Sequence, residues 1–179
     1  SNNFPRIKSD LTSMQQVFSV FKILERIISD QEEDKNIFRL LESYLETLEK
    51  ISDGKEPNKE SKKSLITLGF LFKFFGELGY QAEVGKCVGC GEKLKSGQNY
   101  FSASRGGVLC GSCLPGESMK IKIDDDSIKF IRIFLKNKIS NFVKLDAAPE
   151  NIIQIKNIFR DFLDWVLSEN NVAKNGLLW

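Results

Sequence analysis

Apolar residues recur every three or four positions along most of this chain, and that recurrence predicts helices. Over 10–29, Leu11, Met14, Val17, Phe18, Phe21, Leu24 and Ile28 keep the spacing of one amphipathic helix. The charged run DQEED at 30–34 connects it to a second helix, about 35–51, marked by Ile37, Phe38, Leu41, Tyr44, Leu45, Leu48 and Ile51. SDGKEPNKES at 52–61 mixes Gly, Pro and charges and reads as a loop. A third helix, about 61–78, is apolar almost all round in LITLGFLFKFFGEL, which predicts a buried central helix with Gly79 as its C-terminal cap.

Further on, MKIKID at 119–124 alternates like a short strand. Asp126 or Ser127 is placed to cap a fourth helix running to about Ile139. Pro149 suits the first turn of a fifth that ends near Leu167, with Ile152, Ile155, Phe159, Phe162 and Val166 facing inward and Trp165 at the edge. Short connections between helices favour antiparallel neighbours. The expected fold is mainly α: a helical bundle whose first part covers 1–83 and second part 119–179, with a cysteine-bearing insertion at 84–118. No internal repeat is present.

Composition narrows the function. The chain has 179 residues, 41% of them hydrophobic with 14 Phe, enough for a sizeable core. Lys plus Arg exceed Asp plus Glu by only 26 to 24, so any contact with nucleic acid must be local rather than a general electrostatic attraction. The first ten residues, SNNFPRIKSD, hold no apolar signal-peptide core, and Lys73 and Gly76 break the longest apolar run well short of a membrane span. Both features point to the cytoplasm, where thiols stay reduced. Ser1-Asn2 has the look of a cloning scar, so the chain is expected to be a fragment of something longer.

All four cysteines fall in CVGCGEKLKSGQNYFSASRGGVLCGSC, a C-x2-C-x19-C-x2-C arrangement over 87–113. Two Cys-x-x-Cys turns can aim four thiolates at one ion at about 2.3 Å and complete a tetrahedron. Gly89, Gly91 and Gly111 allow tight turns that face backbone amides toward the sulfurs. Lys95-Ser96-Gly97-Gln98 and Gly106-Gly107 read as turns, which makes the segment two short hairpins: a zinc ribbon or pair of knuckles held by Cys87, Cys90, Cys110 and Cys113. Disulfides fit the compartment less well. A redox dithiol needs one such pair rather than two, and iron–sulfur spacings are commonly more compact. Four cysteine ligands leave no position for a catalytic water, so the Zn2+ is structural. The chain has no His, which removes the commonest general base. No pairing of nucleophile with base is visible, and neither an enzyme nor a small-molecule substrate is expected.

Three stretches, taken together, resemble a known family. They are SVFKILERIISDQEEDKNIFRLLESYLETLEK, then LGFLFKFFGELGYQAEVGKCVGCGEKL, then FSASRGGVLCGSC, covering roughly residues 15–140. They are similar to the C-terminal portion of the bacterial recombination mediator RecO. The most specific piece is Leu78-Gly79-Tyr80 ahead of Cys87, joined to Gly106-Gly107 ahead of Cys110. The resemblance implies a protein that begins with an OB-fold and continues into a helical domain carrying this zinc module. It implies binding of single- and double-stranded DNA, partnership with RecR, and contact with the acidic C-terminal tail of single-stranded-DNA-binding protein. The implied task is strand annealing and recombinase loading, without a turnover site. This chain departs from the family in three places: no OB-fold fits before residue 10, Leu68-Gly69-Phe70-Leu71 stands where members carry a basic pattern, and the ending reads Trp165-Val166-Leu167. Lys62 and Lys63 come nearly two turns before that stretch.

Lys86, Lys93, Lys95 and Arg105 surround the cysteines as candidate phosphate contacts; the bland reading is a solvated surface of mixed charge. Lys73 interrupts the Phe-rich helix and must reach solvent or an acid, or else rim a peptide pocket. Alternation allows at most one of Tyr100 and Phe101 outward, with Phe101 expected inside. Gly106-Gly107 is expected to make the turn that delivers Cys110. The competing function is a generic zinc-ribbon module that binds protein and not DNA.

Overall fold

A computed structural model describes residues 3–28, 34–52, 58–117 and 120–169. Its helices are α1 (Pro5–Ser9), α2 (Leu11–Ile27), α3 (Lys35–Ser52), α4 (Lys59–Glu77), α5 (Asp125–Lys136) and α6 (Pro149–Glu169). Three strands, β1 (Asn99–Ser102), β2 (Gly107–Cys110) and β3 (Ile121–Ile123), form one antiparallel sheet in the order β2-β1-β3. No described helix is long and apolar enough to cross a membrane.

α4 is the axis, as its all-round apolar sequence demands. Leu65, Ile66, Leu68, Phe70, Leu71, Phe72, Phe74 and Phe75 are all buried. Phe72 and Phe75 meet Phe159 of α6 edge-on, at ring separations of 5.4 and 5.0 Å, while Tyr44 of α3 lies 4.8 Å from Phe70. The helix ends in a Schellman motif: the Gly79 amide donates to the Gly76 carbonyl at 3.1 Å and the Tyr80 amide to Phe75 at 2.8 Å. Gly79 has φ 87°, the left-handed region that favours glycine, so the predicted cap is in place.

Several boundaries differ from the sequence reading. α4 starts at Lys59 rather than about 61, and α1 adds a helical turn that periodicity did not reveal. α5 is capped by Asp124, whose carboxylate accepts the Ser127 amide at 2.6 Å, not by Asp126 or Ser127. It stops at Lys136 instead of Ile139, and a 3₁₀ segment over Ile139–Lys144 then drives Phe142 into the core. Of the DQEED connector only Asp34 is described, and it caps α3 through the Asn36 amide at 2.7 Å. Residues 53–57 of the 52–61 loop, and Met119 of the predicted strand, lie outside the described residues.

The inward face of α2 also needs correction. Phe18 is 59% exposed, and Leu11, Phe21 and, on α3, Phe38 also face outward; Val20, Ile23 and Leu24 fill the core. The helix carries two apolar stripes, and polar partners choose between them. The Ser13 and Ser52 hydroxyls meet at 2.8 Å, and the Thr67 hydroxyl donates to Gln16 at 2.8 Å, which turns the smaller stripe inward. On α6, Ile155, Phe159, Phe162 and Val166 are buried as expected, while Ile152 is half-buried.

Candidate metal centre

Beyond Tyr80 the chain leaves α4 and builds the cysteine module. Residues 82–88 lie along β2: the Glu83 amide donates to the Gly106 carbonyl, and the amides of Val108 and Val88 donate to Glu83 and Val108, each at 2.9 Å. The Cys87–Cys90 turn is closed by the Gly91 amide on the Cys87 carbonyl at 2.9 Å and by a single antiparallel bridge between Lys86 and Lys93. This half is a knuckle rather than a full hairpin. The other half is a true hairpin, pairing Asn99 with Cys110 through Ser102 with Gly107. Gly106 turns it with φ 66°, and a Cβ on Gly107 would stand 2.4 Å from the Glu83 carbonyl oxygen. The glycine pair thus makes the turn and the close packing that bring Cys110 back. A 3₁₀ turn over Gly111–Cys113 then swings Cys113 to the same point.

The four Sγ atoms lie within 4.8 Å of one another, and those of Cys90 and Cys110 are 4.0 Å apart. Tetrahedral thiolates at about 2.3 Å from an ion would be about 3.8 Å apart, so the cluster could hold a metal ion after a small contraction. All four cysteines are free of disulfides. Cys87 is buried, and its Sγ accepts the amides of Gly89 and Cys110, both at 3.3 Å. Burial alone would raise its pKa, but those amides and that of Cys90 win and bring it down to about 6. Cys113, hydrogen-bonded to Cys110 and Cys90, is pushed up to about 12. The amides around Cys87 thus favour its thiolate, the form that binds an ion.

The module is fixed to the bundle on two sides. Phe101 is fully buried and meets Phe162 of α6 edge-on at 5.6 Å, while Arg132 of α5 donates Nε–H to the Val84 carbonyl at 2.7 Å. β3 pairs with β1, so the sheet takes one strand from beyond residue 118. The Ser96 hydroxyl and the Asn99 amide both reach Asp125 at the start of α5. Nothing periodic in the sequence signals these long-range polar ties.

The candidate contact residues are unequally placed. Lys86, Lys93 and Lys95 are exposed around the knuckle. Arg105 is paired with Glu117 at 3.4 Å. Lys73 is half-buried, with its ammonium 3.3 Å from the Leu135 carbonyl at the end of α5; desolvation lowers its pKa, against the pull of Glu77. Lys63 is fully buried, donating to Asp10 at 2.7 Å and to Glu60 at 2.8 Å. Sequence reasoning missed a cleft of about 560 Å³ between α2, α4 and α6, where Thr67 and Leu68 meet Phe18, Ile152, Lys22 and Lys156. Its walls come from three distant segments, so no local spacing could reveal it.

Known proteins place this arrangement. The sequence profile described as Recombination protein O C terminal matches residues 9–174. The DNA repair protein RecO of Dehalococcoides mccartyi is 27% identical over 177 residues, covering 99% of this chain and 65% of its own length. That of Desulforamulus reducens is 20% identical over 93% of this chain and 61% of its own length, and that of Listeria monocytogenes 23% over 83% and 54%. The chain therefore spans less than two thirds of the length of the curated relatives it matches. No solved structure matches it at a comparable level of significance. With its cysteine module carried on a helical core, the chain belongs to the RecO C-terminal family.

Proposed function

We propose that this chain is the helical and zinc-braced portion of a non-enzymatic recombination mediator in DNA repair, working in the bacterial cytoplasm. Zn2+ bound by Cys87, Cys90, Cys110 and Cys113 would be structural, since four thiolates close its shell and leave no place for an activated water. The metal would hold the knuckle against the sheet so that Lys86, Lys93 and Lys95 project together toward phosphates. In this reading the chain contributes to strand annealing and recombinase loading, with single- and double-stranded DNA, RecR and the acidic tail of single-stranded-DNA-binding protein as partners.

The observation that carries the reading is the convergence of four thiols in a chain of this family. For the acidic tail, the cleft beside Leu68 offers an apolar floor flanked by Lys22 and Lys156. Lys22 would take over from the basic pattern that Leu68-Gly69-Phe70-Leu71 lacks, because Lys63 is committed to Asp10 and Glu60. Labelled single-stranded DNA and the acidic tail peptide should be titrated separately against the zinc-loaded chain. Both are expected to bind, with DNA affinity falling steeply as salt rises, and Lys22→Gln should weaken the peptide alone. If neither ligand binds, the mediator reading fails and a generic zinc-ribbon module replaces it.

A further inference from the structure

Charge is unevenly distributed along the chain. Residues 84–145 hold eleven Lys and Arg against five Asp and Glu, although the whole chain is nearly balanced at 26 to 24. The cysteine module, α5 and the turn after it are therefore basic, and the remainder of the chain is acidic.

Within the basic region, the sheet has one face against the core, and its other face is covered at Ser102 and Leu109 but open at Tyr100 and along β3. Phe101 is buried against Phe162, and successive strand residues point to opposite faces. Tyr100 thus lies on the outer face, half-exposed, with Lys122 directly across on β3. Lys120, just before β3, is also exposed. Among the described residues, the Tyr100 phenol has no hydrogen bond and its ring no aromatic partner, and neither lysine has an ion pair. Arg105 and Lys129, in the same region, are each paired with an acid. An unpaired ring beside unpaired cations matches the two halves of a nucleotide: a base has a π-face, and its phosphate is an anion.

We propose that this outer face is a single-stranded nucleic-acid contact, in which one base stacks on Tyr100 and neighbouring phosphates meet Lys122 and Lys120. The proposal rests on the DNA-binding reading above and adds to it a site and a preference. A duplex keeps its bases stacked on one another and offers Tyr100 no face, so only an unpaired strand gains from the ring.

The test compares three ligands of equal charge on the zinc-loaded chain at low salt: oligothymidine, an abasic strand of the same length, and oligoglutamate. Oligothymidine should bind roughly ten-fold more tightly than the abasic strand, toward the low end of what one stacked base contributes. Tyr100→Ala should remove that preference and leave abasic binding and its salt slope unchanged. Tyr100→Phe should keep it, because the phenol has no partner to lose. Lys122→Gln, a surface change that leaves the sheet intact, should reduce the salt slope for both strands by about 0.7. A base preference that survives in Tyr100→Ala, or a salt slope unmoved in Lys122→Gln, overturns the inference and leaves the DNA reading standing. Equal binding of all three ligands also overturns it, leaving a general anion surface. No binding of any strand by the parent chain overturns the DNA reading and the inference together.

Discussion

Helix α4 and the Cys87–Cys113 module are both held in place, but by different forces. α4 is fixed by apolar contact on every side: its Phe residues pack against α3, α5 and α6, and its one fully buried charge, Lys63, meets two carboxylates. The hairpin of the cysteine module shares in this core through Phe101, Val108 and Ala103, but its knuckle has little of it. Around the knuckle Gly89, Cys90, Gly91, Glu92 and Lys93 are all exposed, and Cys87 is buried mainly among backbone amides and other sulfurs. A knuckle that buries so little apolar surface needs another source of order, and four convergent thiols supply one if an ion binds them. The thin packing of the knuckle leaves Lys86, Lys93 and Lys95 open to solvent. Rigidity without a hydrophobic cover suits a contact surface.

The largest effect is expected of Cys87→Ser. Structural zinc contributes on the order of 10 kcal/mol to its own domain, so this change should abolish metal binding and unfold residues 84–118 locally. Elemental analysis and hydrogen exchange should show the metal gone and the module unprotected while α3, α4 and α6 keep their protection. Unchanged metal content would refute the centre. Loss of protection throughout would refute the independence of the bundle.

The converse substitution is Phe75→Ala. Its ring lies 5.0 Å from Phe159 and 5.5 Å from Phe162, in a fully buried site. Removing it should cost about 4 kcal/mol in denaturant unfolding. The surviving folded fraction should still carry its full complement of metal. A cost below about 1 kcal/mol would mean that the core can collapse around the gap, contrary to the close packing expected of a protein interior.

These two regions were also unequally legible. α4 and α6 could be read directly, because an all-round apolar run and a Pro at the first turn are local signals. The convergence of the cysteines could be read because two Cys-x-x-Cys pairs are a local signal. The inward face of α2 could not, since two apolar stripes competed and hydroxyl bonds from Ser13 to Ser52 and from Thr67 to Gln16 decided between them. Asp124 was passed over as a cap because three consecutive Asp residues satisfy the same rule, and only the end of β3 selects the first. Pairing of β3 with β1 joined segments that the cysteine spacing alone had separated.

Asp10→Asn probes the polar exception within the apolar region. Asp10 caps α2 by accepting the Ser13 amide at 2.8 Å and receives the buried Lys63 ammonium. Burial by itself raises the Asp10 carboxyl, but the bonds from Lys63 and Ser13 outweigh it and hold the group well below the usual carboxylate range. Asn keeps the cap and removes the charge, leaving Lys63 with Glu60 alone. A loss of about 2 kcal/mol at neutral pH is expected, less than for a buried pair stripped of all compensation. A carboxyl depressed on folding stabilises fully above its unfolded pKa of about 3.9 and progressively less below it. The stability gap between parent and variant should therefore narrow as pH falls from about 4 toward 2. A gap constant across that range would show that the cap, not the charge, does the stabilising.

The smallest effect is expected where the two regions join. Gly79 closes α4 with φ 87° and sends the chain toward Tyr80, whose ring meets Trp165 edge-on at 6.3 Å. A Cβ at Gly79 would touch nothing within 4 Å, so a substitution there strains only the backbone. Gly79→Ala should cost about 1 kcal/mol, or roughly 3 °C in melting temperature for a chain of this size. Gly79→Asn should cost less, because Asn tolerates the left-handed region better than Ala. If both variants melt like the parent, the helix end is free to reset without disturbing the module. If both instead lose metal along with stability, the Schellman turn is what aims Cys87 at its three partners, and the bundle and the module are one cooperative unit.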